Sequence, residues 1–168
     1  TAMLPVPAEK TEGLYLIMAT RKGIIKRTEL SEFTNLRKAG LIALVLREDD
    51  DLISVALTDG SRDVLLGTRG GMAIRFAESD MRPIGRNAMG VRSILLEGDD
   101  EVVDMSIIEE DAKVLSITEL GYGKRTECDE YRVQARGGKG VKAMNLTNKT
   151  RHRPGRGIRH LRWRQPYH

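Results

Sequence analysis

The stretch Tyr131–Met144, "YRVQARGGKGVKAM", sets Arg136, Lys139 and Lys142 around Gly137, Gly138 and Gly140. Cationic side chains beside glycines suit phosphate: the cations attract it, and glycine lets a backbone N–H approach without a side chain in the way. Other chemistries lack their parts. "GGKGVK" has neither the leading glycine nor the Lys-Ser/Thr pair of a phosphate-binding loop, and no helix is expected after it. "LGYGKRTE" lacks the Phe-Val and the final aromatic of an RNA-recognition strand. Seven aromatics in 168 residues leave little to stack on unpaired bases. All three histidines lie within residues 151–168 and Cys128 is the lone cysteine, so neither a metal site nor a Cys-His nucleophile is indicated, and no cofactor is implied.

The basic-glycine segment belongs to a repeat. "LYLIMATRKGIIKRTELSEFTNLRKAGLIALVL", "DVLLGTRGGMAIRFAESDMRPIGRNAMGVRSILL" and "KVLSITELGYGKRTECDEYRVQARGGKGVKAMNL" align so that Thr20, Thr68 and Thr118 coincide. So do Gly23, Gly71 and Gly121, then Arg27, Arg75 and Arg125, then Phe33, Met81 and Tyr131, which read as packing residues. Gly40, Gly90 and Gly140 recur every fifty residues, and the acidic turns "EDDD" at 48–51 and "GDDE" at 98–101 follow in phase. Apolar runs of five to seven residues, such as "LYLIMA", "GLIALVL" and "LISVALT", end at turn residues and show no helical periodicity. Each unit therefore reads as four short strands, with Gly40, Gly90 and Gly140 opening the third. Such units recurring about every fifty residues predict an all-β, propeller-like array of four-stranded blades, about three in number.

Between the second and third strands of each unit runs a longer polar connector that ends basic. The first carries Arg37 and Lys38, the second Arg82 and Arg86 with Arg92 just beyond, the third Arg132, Arg136 and Lys139 with Lys142 beyond. Around a propeller axis, positions of equal phase share one rim, so these residues are expected to form a positive stripe suited to duplex nucleic acid. A second group of cations adjoins it: Arg21, Lys22, Lys26, Arg69, Lys124, and the in-strand Arg27, Arg75 and Arg125, which are read either as DNA contacts or as side chains snorkelling beside their neighbours. One basic loop next to carboxylates is an ordinary solvated face. Three loops in phase favour a shared role, either DNA binding or recognition of an acidic protein partner by basic propeller loops. An RNA binder is disfavoured by the scarcity of aromatics.

The net charge of +4 does not decide between them. Residues 151–168, "RHRPGRGIRHLRWRQPYH", hold six arginines and no acid, and without them 22 basic residues face 24 acidic ones. That segment is read as a basic tail outside the repeat, foreign to the array or disordered, after residues 12–150 of the array and an N-terminal extension over 1–11. A single unpaired cysteine and the lack of any long apolar span suggest a reducing, cytoplasmic setting and no membrane.

The motifs "MATRKGIIKRTELSEFTNLRKAGLIAL", "TRGGMAIRF", "GRNAMGVRSILL" and "ELGYGKRTECDEYRVQARGGKGV" resemble the C-terminal domain of the DNA gyrase A protein over residues 12–150. The corresponding domain of topoisomerase IV is the near alternative. The resemblance implies a β-pinwheel, a six-bladed propeller relative whose blades exchange strands, of which this chain would supply three. It also implies wrapping of duplex DNA around a basic rim, in support of negative supercoiling with the rest of gyrase A and with gyrase B, which binds ATP. Gln134, Ala135, Arg136, Gly137, Gly138, Lys139 and Gly140 are similar to the family's seven-residue box, with Ala135 where an arginine is expected. A DNA-contact role passes to Arg136 and Lys139; the family's cleavage tyrosine lies in another domain, and no tyrosine here inherits it. An array of three blades exposes faces and strand edges, so self-association of the chain is expected.

Overall fold

The computed structural model describes residues 4–5, 11–34, 40–109 and 111–147, together with the backbone of 158–164. Each unit begins with a hairpin: β1 (Tyr15–Thr20) with β2 (Ile24–Glu29), β4 (Asp63–Thr68) with β5 (Met72–Ala77), and β8 (Lys113–Thr118) with β9 (Gly123–Glu127). The recurring threonine and glycine make the turn. The hydroxyls of Thr20, Thr68 and Thr118 accept the N–H groups of Ile24, Met72 and Tyr122 at 3.1, 3.2 and 3.2 Å. Gly23, Gly71 and Gly121 each donate N–H to that threonine's carbonyl and hold φ near +82 to +88°, a conformation that only glycine adopts cheaply.

β3 (Leu52–Thr58) and β7 (Val102–Ile108) pair antiparallel with β1 and β4, and β11 (Ile158–Arg164) pairs with β8 in the same way. β3, β7 and β11 pack on one another in turn and form the hub side of the array. Within the segment 151–168 that the sequence reading sets outside the repeat, the backbone of Ile158–Arg164 pairs with β8 as β3 and β7 pair with β1 and β4.

The opposite edge of each sheet comes from the next unit. β6 (Val91–Arg92), from the second unit, pairs with β2 of the first, and β10 (Val141–Lys142), from the third, pairs with β5 of the second. The sheet orders are therefore β3-β1-β2-β6, β10-β5-β4-β7 and β11-β8-β9. Two expectations need correcting. The third strand of a unit is two residues long where it forms, and it belongs to the preceding unit's sheet. Residues 41–47 form no strand although "GLIALVL" reads as one. In the exchange seen at β6 and β10 a third strand pairs with the second strand of the preceding unit, and residues 41–47 find no such partner among the described residues.

Core packing follows the same order. Ile17, Ala19 and Ile25 of the first sheet meet Val64, Leu66, Ile74 and Phe76 of the second, with Met81 and Ile94 filling the seam. Leu65 and Ala73, on the opposite face of the second sheet, meet Val114, Cys128 and Tyr131. The middle sheet is thus covered on both faces, which is why "VLLGT" of β4 is buried throughout while β8 alternates. Phe33 packs against Leu16, Met18 and Leu30 on the outer face of the first sheet.

Candidate nucleic-acid interface

The edge of each sheet away from the hub carries the basic residues, in equivalent pairs fifty positions apart. Arg92 lies on β6 and Lys142 on β10; Arg82 and Arg132 precede the connector turns; Arg86 and Arg136 sit within them. Arg82, Arg92, Arg132 and Lys142 are exposed and form no ion pair among the described residues.

The turns are fastened to the preceding unit by main-chain bonds that repeat. Ile84 N–H donates to Arg27 O at 2.9 Å, as Gln134 N–H does to Arg75 O at 2.8 Å. Arg86 N–H donates to the Glu32 carboxylate at 3.0 Å, and Arg136 N–H to that of Asp80 at 2.9 Å. The guanidinium of Arg86 reaches back to Ile42 O at 3.2 Å, and that of Arg136 to Arg92 O at 2.7 Å. Both arginines are half-buried, so part of each side chain holds the neighbouring segment while the rest faces solvent. The glycines of the box-like loop also answer first to protein. A Cβ on Gly140 would stand 2.3 Å from Ala73 O, because β10 crosses β5 at that point.

Lys139 is exposed but pairs with Glu97 at 2.6 Å. The pairing holds the Glu97 carboxyl below its ordinary range and the Lys139 ammonium above its own, through a side-chain hydrogen bond and charge attraction. Gln134 is half-buried and Ala135 exposed.

The second group of cations is mostly engaged with protein partners, and for Arg27 and Arg75 this matches the alternative of side chains lying beside their neighbours. Lys26 is wholly buried, and its ammonium donates to the carbonyls of Ala43, Gly85, Arg86 and Ala88. Arg27 is buried over the Tyr15 ring at 4.6 Å, with Glu78 3.9 Å away. Arg75 binds Asp63 through Nε at 2.9 Å and Nη2 at 2.8 Å, and donates to the Cys128 and Tyr131 carbonyls. These three join units to one another. Arg21 and Arg69 share Glu101, and Lys22 pairs with Asp49. The acidic turns are therefore latches on the hairpin turns: Asp50 accepts Lys22 N–H at 2.9 Å and Asp100 accepts Gly70 N–H at 2.7 Å. Lys124 and Arg125 are exposed on β9, whose outer edge has no partner strand among the described residues. Arg37 and Lys38 lie outside the described residues.

Sequence reasoning missed the acids that fasten the turns. Glu32 and Asp80 do so and stand in phase, each directly before Phe33 or Met81, and that register was the available signal. Burial pushes the Cys128 thiol above its ordinary value, which suits a packing role. Among the described residues no group of three metal-ligating side chains gathers, and no helix is long and apolar enough to cross a membrane.

A family model for the "DNA gyrase C-terminal domain, beta-propeller" matches residues 14–59, 62–109 and 112–149, one stretch for each unit. The chain belongs to that family. The DNA gyrase A protein of Haloquadratum walsbyi is 48% identical over 143 residues, covering 84% of this chain and 17% of that protein. Its counterpart in Staphylococcus epidermidis is 45% identical over 151 residues, covering 89% of this chain and again 17% of the relative. The chain thus spans about a sixth of the length of these gyrase A proteins. The crystal structure of a DNA topoisomerase IV C-terminal domain superimposes with a TM-score of 0.86 at 28% identity, over 95% of this chain and 49% of the other. The E. coli ParC C-terminal domain shares the fold, with a TM-score of 0.73 at 16% identity over 93% of this chain and 64% of its own.

Proposed function

We propose that this gyrase A C-terminal array binds duplex DNA with little sequence preference and wraps it along its outer rim, as the part of a gyrase A protein that supports negative supercoiling. Its partners are then duplex DNA, the remainder of gyrase A, and gyrase B in the cytoplasmic holoenzyme. The chain contributes binding and no catalytic step. One observation carries the reading: Arg82 with Arg132, and Arg92 with Lys142, recur one unit apart on the sheet edges away from the hub, exposed and without a carboxylate partner among the described residues. The family membership and the gyrase A relatives agree with it.

The energetics require a distributed rim. Bending a duplex of 20–30 base pairs by 40–90° costs on the order of 1–6 kcal/mol, more than one loop would repay. Phosphate contacts position DNA without reading its sequence, so preference among duplexes should be weak. The test is a titration of duplex DNA at several salt concentrations with the full chain and with a variant carrying alanine at 82, 92, 132 and 142. Four lost phosphate contacts should flatten the slope of log affinity against log salt by about 3.6. An unchanged slope in a folded variant would remove the rim from the account.

A further inference from the structure

The two junctions between units hold the same turn by different means. In the second junction two close main-chain contacts add to the bonds of Asp80 and Arg136. Gly137 N–H donates to Ser93 O and Leu95 N–H to Gly138 O, both at 2.8 Å, with Gly137 at φ +86°. In the first junction Asn87 stands where the glycine stands, and it does not share the left-handed backbone, which among described non-glycine residues only Asp49 and Asp111 adopt. The equivalent main-chain contact, Val45 N–H to Ala88 O, stretches to 3.5 Å. Ala43, at the position of Ser93, turns its carbonyl instead to the Lys26 ammonium at 2.7 Å.

That ammonium also donates to Gly85 O at 3.0 Å, Arg86 O at 2.7 Å and Ala88 O at 3.0 Å. Three N–H donors serve four carbonyls, so at least one bond is shared. Glu32 attracts Lys26 by charge without forming a salt bridge to it, so the carbonyls are its direct partners, and a ring of carbonyls is how proteins dehydrate a monovalent cation. The position equivalent to Lys26 in the second unit is Ile74, fully buried, where the glycine latch leaves nothing for a cation to hold.

We propose that Lys26 is a tethered cation that replaces the glycine latch at the first junction: its ammonium organises the carbonyls of Gly85, Arg86 and Ala88 around that of Ala43 and so positions Arg86 on the rim. The DNA consequence rests on the proposed binding function; the clamp itself does not. Three consequences follow, and each has its own readout.

In Lys26→Met, amide hydrogen exchange should accelerate across residues 85–89 while residues 135–139 keep their wild-type rates; unchanged exchange at 85–89 overturns the clamp whether or not DNA binds. In duplex titrations, Lys26→Met should flatten the salt slope by about one, as Arg86→Ala does, and the two together should do no more than either alone. Combination with Arg132→Ala, in the other junction, should be additive. A general loss of stability would weaken both combinations alike, and additivity of Lys26→Met with Arg86→Ala refutes the positioning role. Should Lys26→Met fail to fold, the wild-type chain still decides. Under native reductive methylation read by peptide mass mapping, Lys26 should stay unmodified while Lys124 and Lys142 react fully, and modification of Lys26 at the rate of Lys142 ends the proposal. A wild-type chain with no affinity for duplex sinks the functional reading and leaves the exchange and methylation results to judge the clamp.

Discussion

Replacing Glu97 with glutamine should strengthen DNA binding. The substitution keeps the shape of the side chain and removes the charge that holds Lys139, whose Nζ lies 2.6 Å from the carboxylate. Both side chains are about two-thirds exposed, at 67% and 70%, so water already screens the pair and little folding stability rests on it. What changes is the availability of Lys139 to a phosphate. One added contact steepens the salt slope by about 0.9, which corresponds to roughly eightfold tighter binding at about 0.1 M salt. The pH behaviour sets a control. Lys139 holds the Glu97 carboxyl below its usual value, so the pair is complete above the ordinary carboxylate range and is lost only as pH falls through the lowered value. Between about pH 6 and 8 the wild type should therefore show no titration from this pair, and the gap between wild type and variant should stay constant. Fluorescence anisotropy with a labelled duplex at four or five salt concentrations measures slope and affinity together. Lys139→Ala should abolish the advantage, making the double variant equal to Lys139→Ala alone. If Glu97→Gln binds with the wild-type slope, Lys139 does not meet DNA, and its place in the box-like loop is explained by the ion pair alone.

Arg75→Met should leave the Asp63 carboxylate and the carbonyls of Cys128 and Tyr131 without their donor, lowering stability by about 2–4 kcal/mol in urea unfolding. A loss below about 0.5 kcal/mol would show that the junction does not depend on it. Gly140→Ala places a Cβ 2.3 Å from Ala73 O and should depress Tm well beyond Gly98→Ala, where φ is also positive but nothing lies within 4 Å. Equal losses would reduce the role of Gly140 to backbone strain. The chain should self-associate through the outer edge of β9, which has no partner strand among the described residues, and light scattering that finds a monodisperse monomer at high concentration would contradict this.

The hairpins were legible in the sequence because Thr20, Thr68 and Thr118 and their glycines specify a local turn, and local bonds leave local signatures. Tyr131 and Met81 were legible as packing residues for a similar reason: their phase in the repeat puts them in a seam. The exchange of strands was not legible from periodicity, since Val91–Arg92 and Val141–Lys142 are too short to alternate and their partners lie some seventy residues away. "IRHLRWR" has too few apolar residues to announce a strand, and its pairing with β8 depends on the edge that β8 offers. Cations were the hardest to place. Arg75 and Arg92 look alike in a sequence, yet one meets a carboxylate and two carbonyls from another unit and the other meets solvent. Such a difference is set by long-range geometry, where the desolvation cost of a charge is offset only by partners that folding brings together.

The borrowed edge strands also determine how load would travel. A duplex under tension, pulling on the loop over 134–140, would pull on a segment anchored to β5 and Asp80 of the unit before it, so the force would enter the neighbouring sheet as shear along β10. Blades joined in this way resist a tangential pull in series, like links of a chain, and the weakest two-residue pairing sets the yield point of the whole arc.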